Sequence, residues 1–431
     1  MSLARGGTIL FAASMAGNIS NYLFQFFMGK RLSLEDYGAL NAVFSLLVIV
    51  AIPSTTIMLV IARYTAVFKA KGEVKKISTM YRNSVVKMAA LGIVFFLPFF
   101  IFNRPISAYL NIDDTLPVTI IGLGVFFSFI VTVNFGLLQG LQRFYYLGAG
   151  MGMTGVGKLV FGVVLVVMGF GLNGAAASVV FSSLVVFALT TVPLSGYYRA
   201  KTPKGGGSTQ TREIIAYSIP VLLSTVAVTT ITNVDIIFVK HFFPPRYSGL
   251  YAAVAVLGKT ILYLPAAFVL ALFPMVSASN HVDSGTFRIL DRGLLYTLGI
   301  SLAGVLGFCL FPGWIIGSLF GERFIEAAPL LKYYALAMMS MAVMTVLISF
   351  NLARNKTSFI YTLLAGCVLL VLGLNFFHST LLAVILTVMF TNLFITALHL
   401  WMTHRDRRSV AKLKNWRESD GDEFGFYNHT G

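Results

Sequence analysis

Three charged residues stand inside long apolar stretches of this 431-residue chain: Lys158, Asp235 and Lys259. A charge in hydrocarbon is costly, so such residues mark either a paired structural contact or a working site. An intramembrane carboxylate can carry a proton or hold a cation, and an ammonium can hold an anion. Asp235 and Lys259 lie at similar distances on either side of the turn around Val239–Gly249. On an antiparallel helix pair they would share a depth, which fits a structural ion pair or a group facing an internal cavity. Lys158 can snorkel to the nearer interface or line the same cavity. Arg63, at the end of the second apolar stretch, reads as a flank anchor or a further ligand contact. Gly152-Met153-Thr154-Gly155-Val156-Gly157-Lys158 has the spacing of a phosphate-cradling loop, but Leu159 stands where the Mg²⁺-binding hydroxyl belongs and the run is apolar throughout. Its glycines, with Gly148, Gly150 and Gly162, instead suit close helix packing or bending. The 6 histidines are scattered and the 2 cysteines, Cys309 and Cys367, lie in apolar runs. Neither a metal site, nor a cofactor, nor a disulfide framework follows from them.

The elements that must position these residues are membrane helices. Hydrophobic residues make up 57% of the chain and charged residues 11%, against about 25% charged in a soluble domain. Stretches of roughly 20 apolar residues cross a bilayer core. Twelve are expected, at about 8–29, 38–61, 84–102, 116–138, 150–170, 173–196, 214–241, 248–273, 293–313, 329–352, 358–376 and 379–402. The first is read as a retained membrane helix and not as a cleaved signal. The formal charge of +16 sits in loops, where Lys and Arg set orientation, and no soluble basic module exists to bind nucleic acid. Most of the loop Lys and Arg follow even-numbered spans, which places those loops and both termini in the cytoplasm. The segment from Arg63 to Lys87 alternates basic and apolar residues and reads as an amphipathic helix on the anionic inner leaflet.

A polar, Gly-rich linker at 198–212 divides the chain into a lobe at 1–197 and a lobe at 213–402, followed by a tail at 403–431. A weak repeat supports the division. Gly29–Ala42 parallels Lys240–Ala253, with Gly38 and Gly249 separated by 211 positions and Pro53 and Pro265 by 212. Each half thus carries a short turn, a glycine and a helix kinked by proline. Six helices per half imply a pseudo-twofold axis along the membrane normal, an all-α integral membrane fold, and a central cavity opened alternately to either side.

Arg31-Leu32-Ser33-Leu34-Glu35-Asp36-Tyr37-Gly38 resembles the turn after the first helix of polysaccharide flippases. Val234–His241, then Ser248–Ala253 and Leu257-Gly258-Lys259, resemble the start of their second half, and Leu272-Phe273-Pro274 and Leu138–Arg143 fit as well. These flippases belong to the multidrug, oligosaccharidyl-lipid and polysaccharide exporter superfamily. The resemblance, which spans all twelve expected helices, implies a multi-pass plasma-membrane protein that flips a lipid-linked oligosaccharide to the outer leaflet without covalent chemistry. It implies a pyrophosphate-linked glycan and membrane lipids as partners, H⁺ or Na⁺ as a coupling ion, a monomeric state, and Lys158, Lys259, Asp235 and Arg63 as substrate-site candidates. The acid at Asp235 matches the family's usual carboxylate at the end of helix 7. A cation-coupled multidrug exporter of the same superfamily is the alternative, and a membrane glycan polymerase or glycosyltransferase the second.

Overall fold

The computed structural model describes residues 3–199, 211–265, 284–354 and 356–425. The expected linker core Lys201–Ser208, the Leu272–Pro274 motif and the last residues of the tail lie outside them. The described chain is helical, and its helices are α1 (Leu3–Arg31), α2 (Leu34–Val50), α3 (Ile52–Ala70), α4 (Val74–Ile101), α5 (Asn103–Tyr109), α6 (Leu116–Gly140), α7 (Phe144–Leu165), α8 (Gly171–Thr191) and α9 (Ser195–Arg199). After the linker come α10 (Thr211–Phe242), α11 (Pro245–Tyr263), α12 (Ser284–Leu310), α13 (Pro312–Phe320), α14 (Ala328–Ala353), α15 (Phe359–Phe376) and α16 (Leu381–Gly425).

Among the described residues, 9 helical runs are long and apolar enough to cross a membrane. The protein is therefore an all-α, multi-pass membrane protein. Large apolar side chains point outward along these runs, among them Val94, Val167, Phe376 and Phe390, as they must where lipid is the solvent. One run, Phe144–Tyr198, is 55 residues long, or about 80 Å if straight. It folds back instead. A π turn at Val166–Phe170 ends in Gly169 and Gly171, with φ of +94° and +48°, values that glycine adopts without strain. Beyond it α8 returns along α7, and Ser182 Oγ donates to the carbonyls of Met153 and Thr154 at 3.3 and 3.0 Å.

By packing, the chain forms two units, one of residues 1–253 with 316–327 and one of 254–315 with 328–431. In the first, α6 is the central helix. Its Gly136 and Gly140 lie against Ile61 and Thr65 of α3, and Val133, Leu137 and Leu138 form a core with Ile77, Tyr81 and Leu147. In the second, α14 is central, and Val343, Val346, Leu347 and Phe350 pack on Phe287 and Leu290 of α12.

Two sequence expectations are corrected here. The segment 63–87 holds no separate surface helix: α3 runs on to Ala70 and α4 starts at Val74, so the basic residues sit on the water-facing ends of two long helices joined at Gly72. The last helix does not stop near Met402 but continues to Gly425. Apolarity marks only the lipid-embedded part of a helix, whereas backbone hydrogen bonding carries helices past the interface. The proline expectation holds at Pro53, where Ala51 interrupts the run between α2 and α3. For the matched proline, α11 ends at Tyr263, and the expected continuation past Pro265 lies outside the described residues.

Candidate functional site

Lys158 is placed by glycines. On α7, Gly148, Gly152, Gly155 and Gly162 face α1, and a Cβ on Gly155 would run into the Gly17 carbonyl. This close approach brings the next turn of α7 against Phe24, and α2 closes the third side. The Lys158 ammonium lies 4.6 Å from the Phe24 ring centroid and 5.0 Å from that of Phe44. The two rings are themselves 5.9 Å apart. Ring faces attract a cation through their quadrupole, and Lys158 makes no ion pair among the described residues. Because α7 starts at Phe144, and not near 150, Lys158 lies about 21 Å along the helix. It lies about 10 Å from Leu165, the last residue of α7.

Beside this cage is a polar network that sequence reasoning missed. Tyr37 Oη donates to Gln25 Oε1 at 3.1 Å, Gln25 Nε2 donates to Asn41 Oδ1 at 3.2 Å, and Asn41 Nδ2 donates to the Tyr37 carbonyl at 2.9 Å. Gln25 neighbours Phe24, and Asn41 lies one turn before Phe44. Two amides in apolar helices were the available signal. The aromatic partners carried none, since Phe is the expected filler of a membrane helix.

Asp235 is fully buried in α10, and its Oδ2 accepts from the hydroxyl of Tyr251 in α11 at 2.7 Å. This bond ties the α10–α11 pair, as the Tyr37–Gln25–Asn41 network ties α1 to α2. Lys259 is half-buried further along α11, in the second unit. Arg63 is exposed on α3, two turns from its end. The structure thus places Lys158 of α7 against rings from α1 and α2 and gives Asp235 a phenol partner. Among the described residues no three His, Cys, Asp or Glu side chains form a metal-ligand set.

One end of the first unit is densely tied. Ser33 caps α2 by accepting from the Asp36 amide at 3.0 Å, so the turn after α1 is fixed by its own sequence. Gly38 packs on Ser248 and Gly249, and a Cβ on Gly249 would meet the Leu34 carbonyl. The two glycines matched in the sequence repeat therefore touch each other. Around them Asn111 Nδ2 donates to the carbonyls of Lys240 and His241, and the His241 ring stacks on Tyr109 with centroids 3.8 Å apart. Arg246 pairs with Glu326 at 2.7 Å, and Arg323 donates to the Gly29 carbonyl.

Known structures share this fold. An inward-facing multidrug resistance MATE family transporter of the MOP superfamily superposes with a TM-score of 0.69, at 14% identity, over 94% of this chain and 99% of its own. Lipid II flippase MurJ in an inward closed conformation gives 0.68, at 14% identity, over 93% and 87%. An uncharacterized membrane protein of Methanocaldococcus jannaschii is 24% identical over 383 residues, 86% of this chain and 89% of that protein. The fold is thus shared with these transporters. The chain belongs to the polysaccharide biosynthesis protein family, whose model matches residues 3–280.

Proposed function

We propose that the protein is a flippase that moves a lipid-linked oligosaccharide from the inner to the outer leaflet of the plasma membrane by alternating access. The observation that carries this reading is Lys158: an ammonium within an apolar run long enough to cross a membrane, held by two ring faces and by no carboxylate among the described residues. Two cation–π contacts of about 2 kcal/mol at best do not offset the cost of a membrane charge. An anionic ligand would supply the rest, and a pyrophosphate linkage has that charge. Family membership supports a polysaccharide precursor as cargo, whereas the fold is common to flippases and drug exporters and does not choose between them.

In this reading twelve helices form two six-helix lobes, 1–197 and 213–402, with both termini cytoplasmic. Lys259, Asp235 and Arg63 are further candidates for the substrate path. Asp235 and Lys259 act either as an ion pair or separately. The Gly38–Gly249 contact and the ties around it form the outer seal, which must part for release. No covalent step is involved, and substrate biases the conformations only through contacts that differ between them.

Lys158 tests the reading. Lys158→Ala is expected to lower glycan export in cells about tenfold or more, with membrane abundance unchanged, while Lys158→Arg retains part of it. Normal export by both variants would remove Lys158 from the site.

A further inference from the structure

Along one face of α16 runs a line of buried polar side chains, Asn392, Thr396, His399 and Thr403, ending at Asp406. Spacings of 4, 3, 4 and 3 residues keep them on one stripe. The line covers about 21 Å of helix within a run apolar enough to cross a membrane. Asn392 Nδ2 donates to the Ala337 carbonyl at 3.2 Å and the Thr396 hydroxyl to the Ser340 carbonyl at 3.1 Å, both on α14. Thr403 donates to the His399 carbonyl at 2.8 Å. At the end of the line, Asp406 Oδ2 meets Lys356 Nζ at 2.5 Å and Arg354 Nη1 at 3.7 Å.

His399 is 1% exposed. Its Nε2 lies 2.5 Å from the Thr362 hydroxyl, which gives its own proton to the Phe359 carbonyl at 2.6 Å. A hydroxyl has one proton, so it accepts from the ring, and Nε2 carries the N–H. Nδ1 is then a bare lone pair, buried and without a hydrogen-bond partner among the described residues. Asn392 Oδ1, a further acceptor on the stripe, is in the same state. A buried polar atom left unpaired is expensive, and a membrane helix has cheap apolar alternatives at every position. Two such acceptors on one stripe, Asn392 Oδ1 and His399 Nδ1, are places where water and its protons can be held.

We propose that His399 is a proton-binding site, reached by water along the Asn392–Asp406 stripe of α16, and that its protonation drives transport. The coupling rests on the transporter reading above; the proton site stands without it. Nδ1 takes a proton from hydronium on one side, giving an imidazolium with two N–H donors, and returns it to water on the other. The neutral Nε2–H form is restored and nothing else is consumed. From α15 His399 meets Thr362 and the edge of Phe359, and the titratable groups of that helix are Tyr361, exposed, and Cys367, half-buried. On α14 the stripe meets Ser340 and Ala337, with Lys332, Tyr333 and Tyr334 at the far end of that helix. The nearest charges are Asp406 with Lys356 and Arg354, then Asp291 of α12 with Arg407.

The test is the ring nitrogen signal of ¹⁵N-histidine-labelled full-length protein in lipid nanodiscs. One histidine, missing from His399→Gln, should convert from the Nε2–H tautomer to the doubly protonated form as the pH is lowered from about 8 to about 4. Thr362→Val keeps the ring and shifts the same signal, which assigns it if His399→Gln does not accumulate. A signal that stays neutral across that range overturns the site. In cells, His399→Gln at wild-type abundance should export about tenfold less glycan, and its residual export should no longer respond to a protonophore. Wild-type export with unchanged protonophore sensitivity overturns the coupling. Should deletion of the gene leave surface glycan intact, the flippase reading fails while the titration still decides the proton site.

Discussion

At the scale of single residues, the membrane interior makes every polar atom accountable. Asp235 is tolerated because Tyr251 donates to it. Tyr251→Phe should therefore lower stability by about 1–3 kcal/mol, read as an earlier thermal unfolding in detergent. Asp235→Asn should cost less, since an amide oxygen still accepts the phenol proton. Equal losses from both changes would mean that the hydroxyl bond is not what holds the carboxylate. An Asp235–Lys259 pair makes a separate prediction. Combining Asp235→Asn with Lys259→Met should restore folded yield lost by either alone, and strictly additive losses would dismiss the pair. The charged candidates were legible in the sequence because charge in an apolar run is conspicuous. Phe24 and Phe44 were not, because an aromatic side chain in a membrane helix is ordinary until a lysine is brought to its face. His399 was passed over for a related reason: scattered histidines were weighed as metal ligands, while its place on a stripe with Asn392, Thr396 and Thr403 shows only on the helix.

Helices are where sequence and structure agree best and where the remaining error has one cause. The expected spans at 116–138, 329–352 and 358–376 fall within two residues of α6, α14 and α15. Those at 84–102 and 150–170 begin too late, since α4 starts at Val74 and α7 at Phe144. Their first turns are basic or aromatic and lie outside the apolar window. That shift changes the reading of Lys158, which stands about four turns from the start of α7 and about two from its end. The glycine run of α7 was legible as a packing surface, and its partner, Gly17, was not. Gly155→Val should sharply reduce the folded protein recovered from membranes, because its side chain would enter the Gly17 backbone and α1 and α7 could not close. Gly7→Val, with open space around its Cβ position, should be neutral. Comparable yields for the two variants would contradict the packing described.

For the whole molecule, the matched turns after α1 and α10 were visible in the sequence as a faint repeat, and the structure adds that their glycines meet. The topology drawn from loop charge predicts cytoplasmic reporters at Thr202 and after Thr403, and an external reporter at Asp114; the reverse pattern would overturn the orientation and the outer seal with it. The central claim is the cargo, and the most direct measurement compares surface glycan with the cellular pool of polyprenyl-pyrophosphate-linked oligosaccharide, by mass spectrometry, in wild-type, gene-deleted and complemented cells. The account predicts that deletion depletes surface glycan and raises the lipid-linked pool, that wild-type protein reverses both, and that Lys158→Ala does not. Unchanged glycan and an unchanged pool, accompanied by altered resistance to cationic drugs, would contradict it and identify an exporter of drugs instead.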